Sequence, residues 1–568
     1  MKNILYILLC VLPFISLGQG QNNNWAGYSW LLDFNSNPPT FTHPISYTPI
    51  ATGGAGDGSS CISNAQGVLQ FTSFNSQMIF ARASARIYNN QNNLMANGDS
   101  LFSSVTTQGI NIVPFPCSDS MYYVFNVARR GNPWLVDTFD LYYSIVNMNK
   151  QNGLGEVVQK NILLDTNIDA GFAITRHANN KDFWIVYGRR NTNYHITRQI
   201  SNSNIGPSLT TSIGNNNPWT PQNKKTKKFS PNGQYYISCP DTGFYFEIFN
   251  FNTSTGVFSN AQTISIPAHL QINHGLILDP NPEFSEFSPD MSKLYISGRL
   301  YLLQYNLANL TVPPGLMMVR NNYPSGSGSL VTYAMGITPN GEVLVMSSNP
   351  QVITQPNLPW PTCGFTPLGF PVGSTSLPSL IPNLFVTREV ESDSLLCQYD
   401  TINLYLSDTS YMDSLVWHFG DSNSLQSNTS TAMIPKHRYN QYGLFPIEVY
   451  IYSGCSFDTI YDTIRINPTP IAHLGNDTLL CEGDSMDILF TDTSFNYLWN
   501  TGDTSLSIHV WQADTYWVEL TSICGVDRDS IVIDSIIPAY VHFPNDTLLC
   551  TGDSLFLDAT VQDGIYNW

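Results

Sequence analysis

Charged side chains are scarce in this sequence. Asp, Glu, Lys and Arg make up 12% of its 568 residues, about half of the usual share. Long solvent-exposed helices need Lys and Glu, so the composition disfavours them and favours strands and turns. Basic residues are the scarcer charges, and the net charge of −18 repels phosphate backbones, so we expect no nucleic-acid partner.

Sequence motifs of enzymes and metal sites are missing as well. No His-Glu-x-x-His, Gly-x-Ser-x-Gly, P-loop or Cys-x-x-Cys pattern occurs. His177 has no nucleophile or metal-ligand spacing near it, and His269 and His274 lack the spacing of a helical zinc pair. We interpret all three as structural histidines, with a catalytic base at His177 as the alternative. The sequence therefore predicts no catalytic, cofactor-binding or metal-ligating residue.

Five aspartates fall at predicted turns: Asp421, Asp477, Asp484, Asp503 and Asp546. Their side chains suit turn capping. Calcium is the alternative that acidic turns leave open, but no regular Asp-x-Asp-x-Asp spacing occurs. No cofactor is predicted.

One apolar run stands at the N-terminus. Lys2 precedes the apolar stretch from Ile4 to Leu17, and small residues end it at Gly18. This pattern is typical of a secretory signal peptide over residues 1–18. An N-terminal anchor is the alternative, but the run is too short to span a bilayer. With no other transmembrane candidate, we expect a secreted protein or one on the outer cell surface.

A hairpin signal recurs through residues 19–385. A strand, a turn rich in Asn, Asp or Gly, and an aromatic strand repeat at steps of 50 to 61 residues. The turns centre on Gln66, Ser118, Asn179, Asn232, Asp290 and Asn340. This period predicts a β-propeller of about seven blades. The closing blade would combine strands near Trp30–Phe34 and Ile381–Phe385, and unrelated hairpins in a large sandwich are the alternative.

The only basic run precedes the strand at Phe229 and consists of Lys224, Lys225, Lys227 and Lys228. We expect it to be a solvated loop, with binding to an anionic polymer as the alternative.

A sharper repeat follows near the C-terminus. Residues 476–485 match residues 545–554, and Trp499 and Trp568 each lie 18 residues past the cysteine of their copy. The match predicts that residues 540–568 are a truncated module. We expect that module to be unstable, with a reactive thiol at Cys550.

The string Val416–Asp421, followed by Pro435–Tyr439 and Tyr442–Val449, resembles a PKD domain over residues 390–467. The resemblance implies an immunoglobulin-like sandwich. Its motif residues here are Trp417, Phe419, Gly420, Asp421, His437, Tyr439, Tyr442 and Gly443.

Residues 474–534 resemble the immunoglobulin-like repeats of exported Bacteroidetes proteins, through Tyr497–Thr504 and Thr515–Val518. Residues 19–385 are similar to the N-terminal regions of such PKD-bearing proteins. The resemblance implies a gliding-motility-associated protein of the type IX secretion group. Its possible cell-surface attachment would use a C-terminal region that is missing here.

Nine cysteines remain once Cys10 leaves with the signal peptide. Small exported sandwiches need disulfides, and one pair brackets each module. We therefore predict Cys397–Cys455 and Cys481–Cys524, each worth about 4 kcal/mol. Trp417 and Trp499 would pack on these bridges, with sugar stacking as the alternative. Cys550 would lack its partner.

Together these features predict an all-β protein without enzymatic activity. We expect an exported binding or adhesion protein whose propeller recognises an extracellular glycan or protein, with the sandwich modules as a stalk. A polysaccharide hydrolase or lyase with its site in the propeller funnel is one alternative. A structural surface or gliding component is the other.

Overall fold

The computed structural model describes residues 24–26, 31–35, 39–42, 58–64, 67–76, 84–104, 109–130, 138–216, 226–240, 243–267, 282–298, 301–319, 334–346, 350–368, 377–381, 388–393, 395–536, 541, 545–561 and 565. The predicted signal peptide, Lys224, Lys225, His269, His274 and Trp568 lie outside these ranges. Within them the chain is all-β, with many separate sheets.

The chain divides into two compact units. The first comprises Met1–Val390, Leu406–Val416 and Val449–Tyr461. The second comprises Glu391–Tyr405, Trp417–Glu448 and Asp462–Trp568.

The sheets of the first 390 residues are antiparallel, and each strand pairs with its neighbours in sequence. The first two sheets contain β1 Asn24–Ala26, β2 Leu31–Asp33 and β3 Thr40–Thr42, then β4 Ser59–Ser63, β5 Leu69–Ser76, β6 Ser84–Asn89 and β7 Leu101–Phe102. A seven-stranded sheet contains β8 Ile110–Pro114, β9 Met121–Arg130, β10 Thr138–Asn147, β11 Glu156–Arg176, β12 Phe183–Arg189, β13 Tyr194–Ile200 and β14 Leu209–Ser212.

Three four-stranded sheets follow. They contain β15 Lys227–Phe229, β16 Tyr235–Ser238, β17 Tyr245–Asn252 and β18 Val257–Ser265; β19 Pro282–Phe287, β20 Lys293–Gly298, β21 Tyr301–Asn306 and β22 Gly315–Val319; and β23 Ala334–Ile337, β24 Val343–Met346, β25 Gln351–Ile353 and β26 Phe365–Pro367.

Strand β11 belongs to two groups of strands. Its first half pairs with β10, from Glu156 to Ile168, and its second half pairs with β12, from Ile168 to Arg176. Left-handed residues at Asn161 and Asn167 accompany irregular pairing along the strand, as expected for β-bulges. With β11 divided in this way, the described strands form seven groups of three or four.

All six predicted hairpins are present. Each joins the first strand of a group to the second: β4 to β5, β8 to β9, β11 to β12, β15 to β16, β19 to β20 and β23 to β24. Each turn holds a left-handed residue, and these are Gly67, Cys117, Asn180, Gly233, Met291 and Gly341. Each of these turns also closes with an i to i+3 backbone hydrogen bond of 2.8–3.1 Å. The turn chemistry in the sequence therefore marks equivalent places in six groups.

The first strands of successive groups lie side by side. Contacts run from β1 to β4 and β8, and from β11 to β15, β19 and β23. A Cβ at Gly336 of β23 would lie 3.3 Å from the Trp25 indole of β1, so the last group meets the first. Ser379 donates its backbone N–H to the Ser59 carbonyl at 2.7 Å. The described end of the predicted closing segment thus lies beside β4, and residues 382–385 lie outside the described residues.

Residues 390–467 form two sheets. They contain β27 Val390–Ser392, β28 Thr401–Leu406 and β31 Lys436–Arg438, and then β30 Thr429–Ser430, β29 Ser414–His418, β32 Gly443–Ser453 and β33 Ser456–Ile466. Alternate residues of β32 are buried, as in a sheet with one face on a core.

Residues 478–536 form two more sheets. They contain β34 Thr478–Cys481, β39 Gly525–Ile536, β38 Asp514–Ser522 and β36 Asn496–Trp499, and then β35 Met486–Leu489 and β37 Ser507–Val510. Side chains of both sheets enclose Trp499, which is 1% exposed. Residues 545–561 contain a turn at Cys550–Asp553 but no strand.

The predicted disulfide pairing is wrong. The bridges are Cys117–Cys455, with Cα atoms 5.1 Å apart, and Cys397–Cys524, with Cα atoms 5.7 Å apart. Cys481 and Cys550 are exposed thiols, whereas Cys61, Cys239 and Cys363 are buried thiols. Trp417 and Trp499 are buried as predicted, but neither module has an internal bridge on which its tryptophan could pack.

The reason lies in the length of the last strand of each module. Cys524 precedes β39, whereas Cys481 pairs with Ile536 at the far end of that strand. Twelve residues of strand span about 40 Å, and a disulfide needs Cα atoms within about 7 Å. In the same way, Cys455 precedes β33, and Cys397 pairs with Asn467 beyond its end.

Candidate binding surface

Two consecutive lysines on the first strand of the fifth group face opposite ways. The Lys227 ammonium forms a buried ion pair with Asp169 of β11, and the Lys228 ammonium lies 2.7 Å from Glu286 of β19. The Lys227 side chain is 1% exposed. The expected solvated loop is therefore wrong for these two residues, because alternate side chains of a strand point to opposite faces.

The Lys227 pair is surrounded by further polar contacts. Lys227 Nζ donates to the Gly171 carbonyl at 2.8 Å, and the Gly188 N–H donates to Asp169 Oδ1 at 3.1 Å. Burial and the nearby Lys227 lower the pKa of His195 to about 4. His195 is therefore neutral at physiological pH, packed among the rings of Phe249 and Phe258.

Glu286 is fully enclosed on the other side of this strand. Burial raises the pKa of its carboxyl group, and the Lys228 ammonium opposes that shift. The carboxylates of Asp169 and Glu286 each face a lysine of β15. Both are therefore committed to joining neighbouring strand groups.

His177 lies in the turn between β11 and β12. Its Nδ1 accepts the Asn179 N–H at 2.9 Å, and its ring stacks on Trp184 with centroids 5.0 Å apart. Burial lowers the pKa of His177. These contacts agree with the predicted structural histidine.

Five of the eight PKD-motif residues form one buried cluster. Asp421 Oδ2 lies 3.1 Å from His437 Nε2, and the Tyr439 hydroxyl donates to the Phe419 carbonyl at 2.8 Å. The Phe419 and His437 rings stack at 4.3 Å. A Cβ at Gly420 would collide with the Pro446 carbonyl, and φ there is +66°. The cluster therefore fixes a turn and leaves no exposed functional group.

The other three motif residues are separate from that cluster. The Trp417 indole N–H donates to the Ala432 carbonyl at 3.1 Å in the core. The Tyr442 hydroxyl donates to Asp492 Oδ2 at 2.8 Å, and Gly443 has φ +136°. Trp499 likewise donates to the Ser505 carbonyl at 2.9 Å. Both tryptophans are core residues, which argues against sugar stacking on them.

The aspartates at predicted turns make local contacts. Asp477 accepts the Val532 N–H at 2.9 Å, Asp421 accepts that of Asn423 at 3.3 Å, and Asp503 accepts the Thr501 hydroxyl at 3.0 Å. Among the residues that the structure describes, no group of three His, Cys, Asp or Glu side chains could hold a metal. No helix in the same ranges is long and apolar enough to cross a bilayer.

An exposed aromatic face lies on the hairpin of β32 and β33. Phe457 is 57% exposed, and its ring centroid lies 5.3 Å from that of Tyr452 and 5.7 Å from that of Tyr450. Tyr461 lies further along β33 and is 45% exposed. Because outward residues alternate along both strands, these four rings share one face, which we call the aromatic face.

The tip of this hairpin is held firmly within the first unit. Asp413 accepts the Gly454 N–H at 2.7 Å through one carboxylate oxygen and the Asn180 side-chain amide at 2.7 Å through the other. Gly454 has φ +61°, and a Cβ there would collide with the Asn180 carbonyl. The adjacent Cys455 is bonded to Cys117.

Comparisons with known proteins leave the family open. No family model and no curated protein matches the chain. A putative 6-phosphogluconolactonase from Bacteroides uniformis is similar at 14% identity and a TM-score of 0.40, over 62% of this chain and 98% of that one. The propeller of Dos1 is similar at 10% identity and a TM-score of 0.34, over 63% and 85%. At such scores neither likeness carries an argument about function.

The sequence analysis missed the aromatic face and the ion pairs of β15. The face had a signal in the spacing of its rings. Tyr450 and Tyr452 are two residues apart, Phe457 and Tyr461 are four apart, and even spacings place side chains on one face of a strand. The ion pairs had no such signal, because their acids lie more than 50 residues away in sequence.

Proposed function

We propose that this protein is an exported binding or adhesion protein that takes a polysaccharide on the aromatic face. The single observation that carries the proposal is the exposed Tyr452–Phe457 pair on a hairpin whose tip is fixed by a disulfide and by Asp413. Rigid aromatic rings lose little conformational entropy on binding. Rings that are already in place can therefore stack on a sugar at small cost.

The proposed architecture is a seven-bladed propeller followed by a PKD domain and immunoglobulin-like repeats. Its support is the seven groups of strands, the six equivalent hairpins and the contact between Gly336 and Trp25. Export is supported by the two disulfides, which form in oxidising compartments. A gliding-motility-associated role and type IX secretion remain proposals from the sequence resemblance.

The binding proposal is tested by affinity gel electrophoresis against a panel of soluble neutral and acidic polysaccharides. The variants are Phe457→Ala and Tyr452→Ala, and Trp511→Ala is the matched control because Trp511 is a 63% exposed aromatic residue elsewhere. We expect each face variant to weaken binding about tenfold, as for a hot-spot aromatic residue. Equal binding by all three variants would show that the aromatic face is not the site.

A structural surface component is the second candidate. The bridge Cys397–Cys524 favours it, because it ties two consecutive modules together within the second unit. A polysaccharide that binds nowhere on the chain would leave this role as the better account. For a hydrolase or lyase, no observation among the described residues adds support, since Asp169 and Glu286 are held by lysines.

A further inference from the structure

The turn that carries Cys481 occurs three times in the chain. The copies are Leu395–Thr401, Leu479–Ser485 and Leu548–Ser554, each with Leu-Leu-Cys and with Asp three residues after the cysteine. That Asp donates its N–H to the cysteine carbonyl, at 3.3 Å for Asp400, 2.9 Å for Asp484 and 3.0 Å for Asp553. The residue before it is left-handed in every copy, with φ of +72° at Tyr399, +92° at Gly483 and +105° at Gly552.

Cys397 and Cys481 also occupy the same position in their sheets. Cys397 forms a parallel bridge with Asn467, just after β33, and Gln398 donates its N–H to the Asn467 carbonyl at 2.9 Å. Cys481 pairs in parallel with Ile536, the last residue of β39, and Glu482 donates to the Ile536 carbonyl at 2.9 Å. The two cysteines are therefore structural equivalents.

Cys397 is bonded to the hairpin turn of the module that follows it. Cys524 lies in the turn between β38 and β39, and Ser522 of that turn donates its hydroxyl to the Pro468 carbonyl at 2.8 Å. Cys397 is 5% exposed in this contact, whereas its equivalent Cys481 is exposed.

Cys455 shows that the hairpin-turn position has the same role in the module before. It lies in the turn between β32 and β33 and is bonded backwards in sequence, to Cys117. Both hairpin-turn cysteines are thus bonded to a cysteine that precedes their own module.

From this register we propose that Cys481 forms a disulfide with the hairpin-turn cysteine of the next sandwich module. Cys550 lies 69 residues after Cys481. By the same offset, the equivalent of Cys524 in the third copy falls beyond Trp568. The partner is therefore a cysteine of stated position, at the start of the last strand of a module that follows.

Formation of this bridge needs an oxidant, which we take to be a protein or small-molecule disulfide of the exporting compartment. The Cys481 thiolate attacks that disulfide and releases one thiolate, giving a mixed disulfide. The hairpin-turn thiolate then attacks the Cys481 Sγ and releases the second. Two module thiols are oxidised, and one disulfide is reduced to two thiols.

The test adds a complete third module to the full chain. Residues 545–568 are replaced by a copy of residues 476–536, which keeps the native linker and register, and the protein is oxidised with glutathione disulfide. Peptide mapping without reduction should find Cys481 joined to the copied hairpin-turn cysteine and Cys397 still joined to Cys524. Maleimide labelling of Cys481, complete in the 568-residue chain, should be lost.

Two control variants of the extended chain separate this pairing from other bridges. Replacing the copied hairpin-turn cysteine with Ser should restore labelling of Cys481, and Cys481→Ser should make that copied cysteine reactive. A Cys481 that stays reactive in the extended chain, or that joins the first cysteine of the copied module instead, would overturn the proposal.

Discussion

The first unit and the second unit hold their strands together by different means. In the first unit, buried ion pairs from Lys227 and Lys228 join neighbouring groups of strands, and three of its cysteines are buried thiols. In the second unit, a disulfide joins two small modules, each built around one buried tryptophan. Large cores bury enough apolar surface to tolerate desolvated charges, whereas small exported modules rely on covalent links.

The comparison is tested most strongly at Lys227. Replacing Lys227 with Met leaves the Asp169 carboxylate buried without its counterion, so we expect the free energy of unfolding to fall by about 3–5 kcal/mol. Chemical denaturation, followed by the tryptophan fluorescence of the first unit, measures the loss. Lys228→Met is the matched control. It should cost less, because burial already raises the pKa of Glu286 and that carboxyl group can take up a proton.

A loss below about 1 kcal/mol at Lys227 would mean that the buried charge is compensated in another way, for example by water that reaches Asp169. The polar link between the strand groups would then be weaker than the buried pair implies. The double variant Asp169→Asn with Lys227→Met should recover part of the loss, since both charges are then removed.

The second unit should respond to loss of its bridge. Replacing Cys397 and Cys524 with Ser removes a cross-link between residues 127 apart in sequence, and we expect a loss of about 2–4 kcal/mol. Denaturation of the second unit measures it, with Cys481→Ser as a control that should change little because Cys481 is an exposed thiol. A native map that joined Cys397 to Cys455 would contradict the observed pairing.

The first unit should also lose stability in mild acid through His195. Its folded pKa of about 4 lies below the ordinary 6.5, so the unfolded chain takes up a proton first as the pH falls. The stabilisation is present above about pH 6.5 and is lost towards about pH 4, by up to about 3 kcal/mol. The variant His195→Phe should show a shallower dependence of unfolding free energy on pH over this window. An unchanged slope would show that other groups dominate the titration.

The smallest expected effect concerns a surface contact of the second unit. The Arg528 guanidinium lies 3.5 Å from the Trp517 ring centroid. Arg528→Ala should cost about 0.5–1 kcal/mol, as for an exposed cation–π pair, and Arg528→Lys should cost less. Thermal unfolding of the two variants and the wild type measures the difference, and equal midpoints would remove this contact from the comparison.

Local signals in the sequence predicted the hairpins well. The turn residues around Gly67, Gly233 and Gly341 demand a left-handed backbone, and flanking aromatic residues mark the strands. Burial of Trp417 and Trp499 followed from the resemblance to small sandwiches and was also correct.

Long-range pairings could not be predicted from the same signals. Cys397 and Cys455 bracket a module in sequence, yet the long strand β33 separates their positions in the fold. Lys228 has no acidic neighbour in sequence, and its partner Glu286 becomes one only when two groups of strands pack together. Pairing of this kind depends on which module comes next to which, and the residues of one module do not encode that information.

The 21 residues of β11 have a consequence for how the first unit opens. Because one uninterrupted strand is hydrogen-bonded to β10 along its first half and to β12 along its second half, two groups of strands have no loop between them at this point. Neither group can detach without disrupting the strand that the other needs. The region from β8 to β14 should therefore exchange its amide hydrogens as one cooperative unit, while the groups joined by ordinary loops exchange independently.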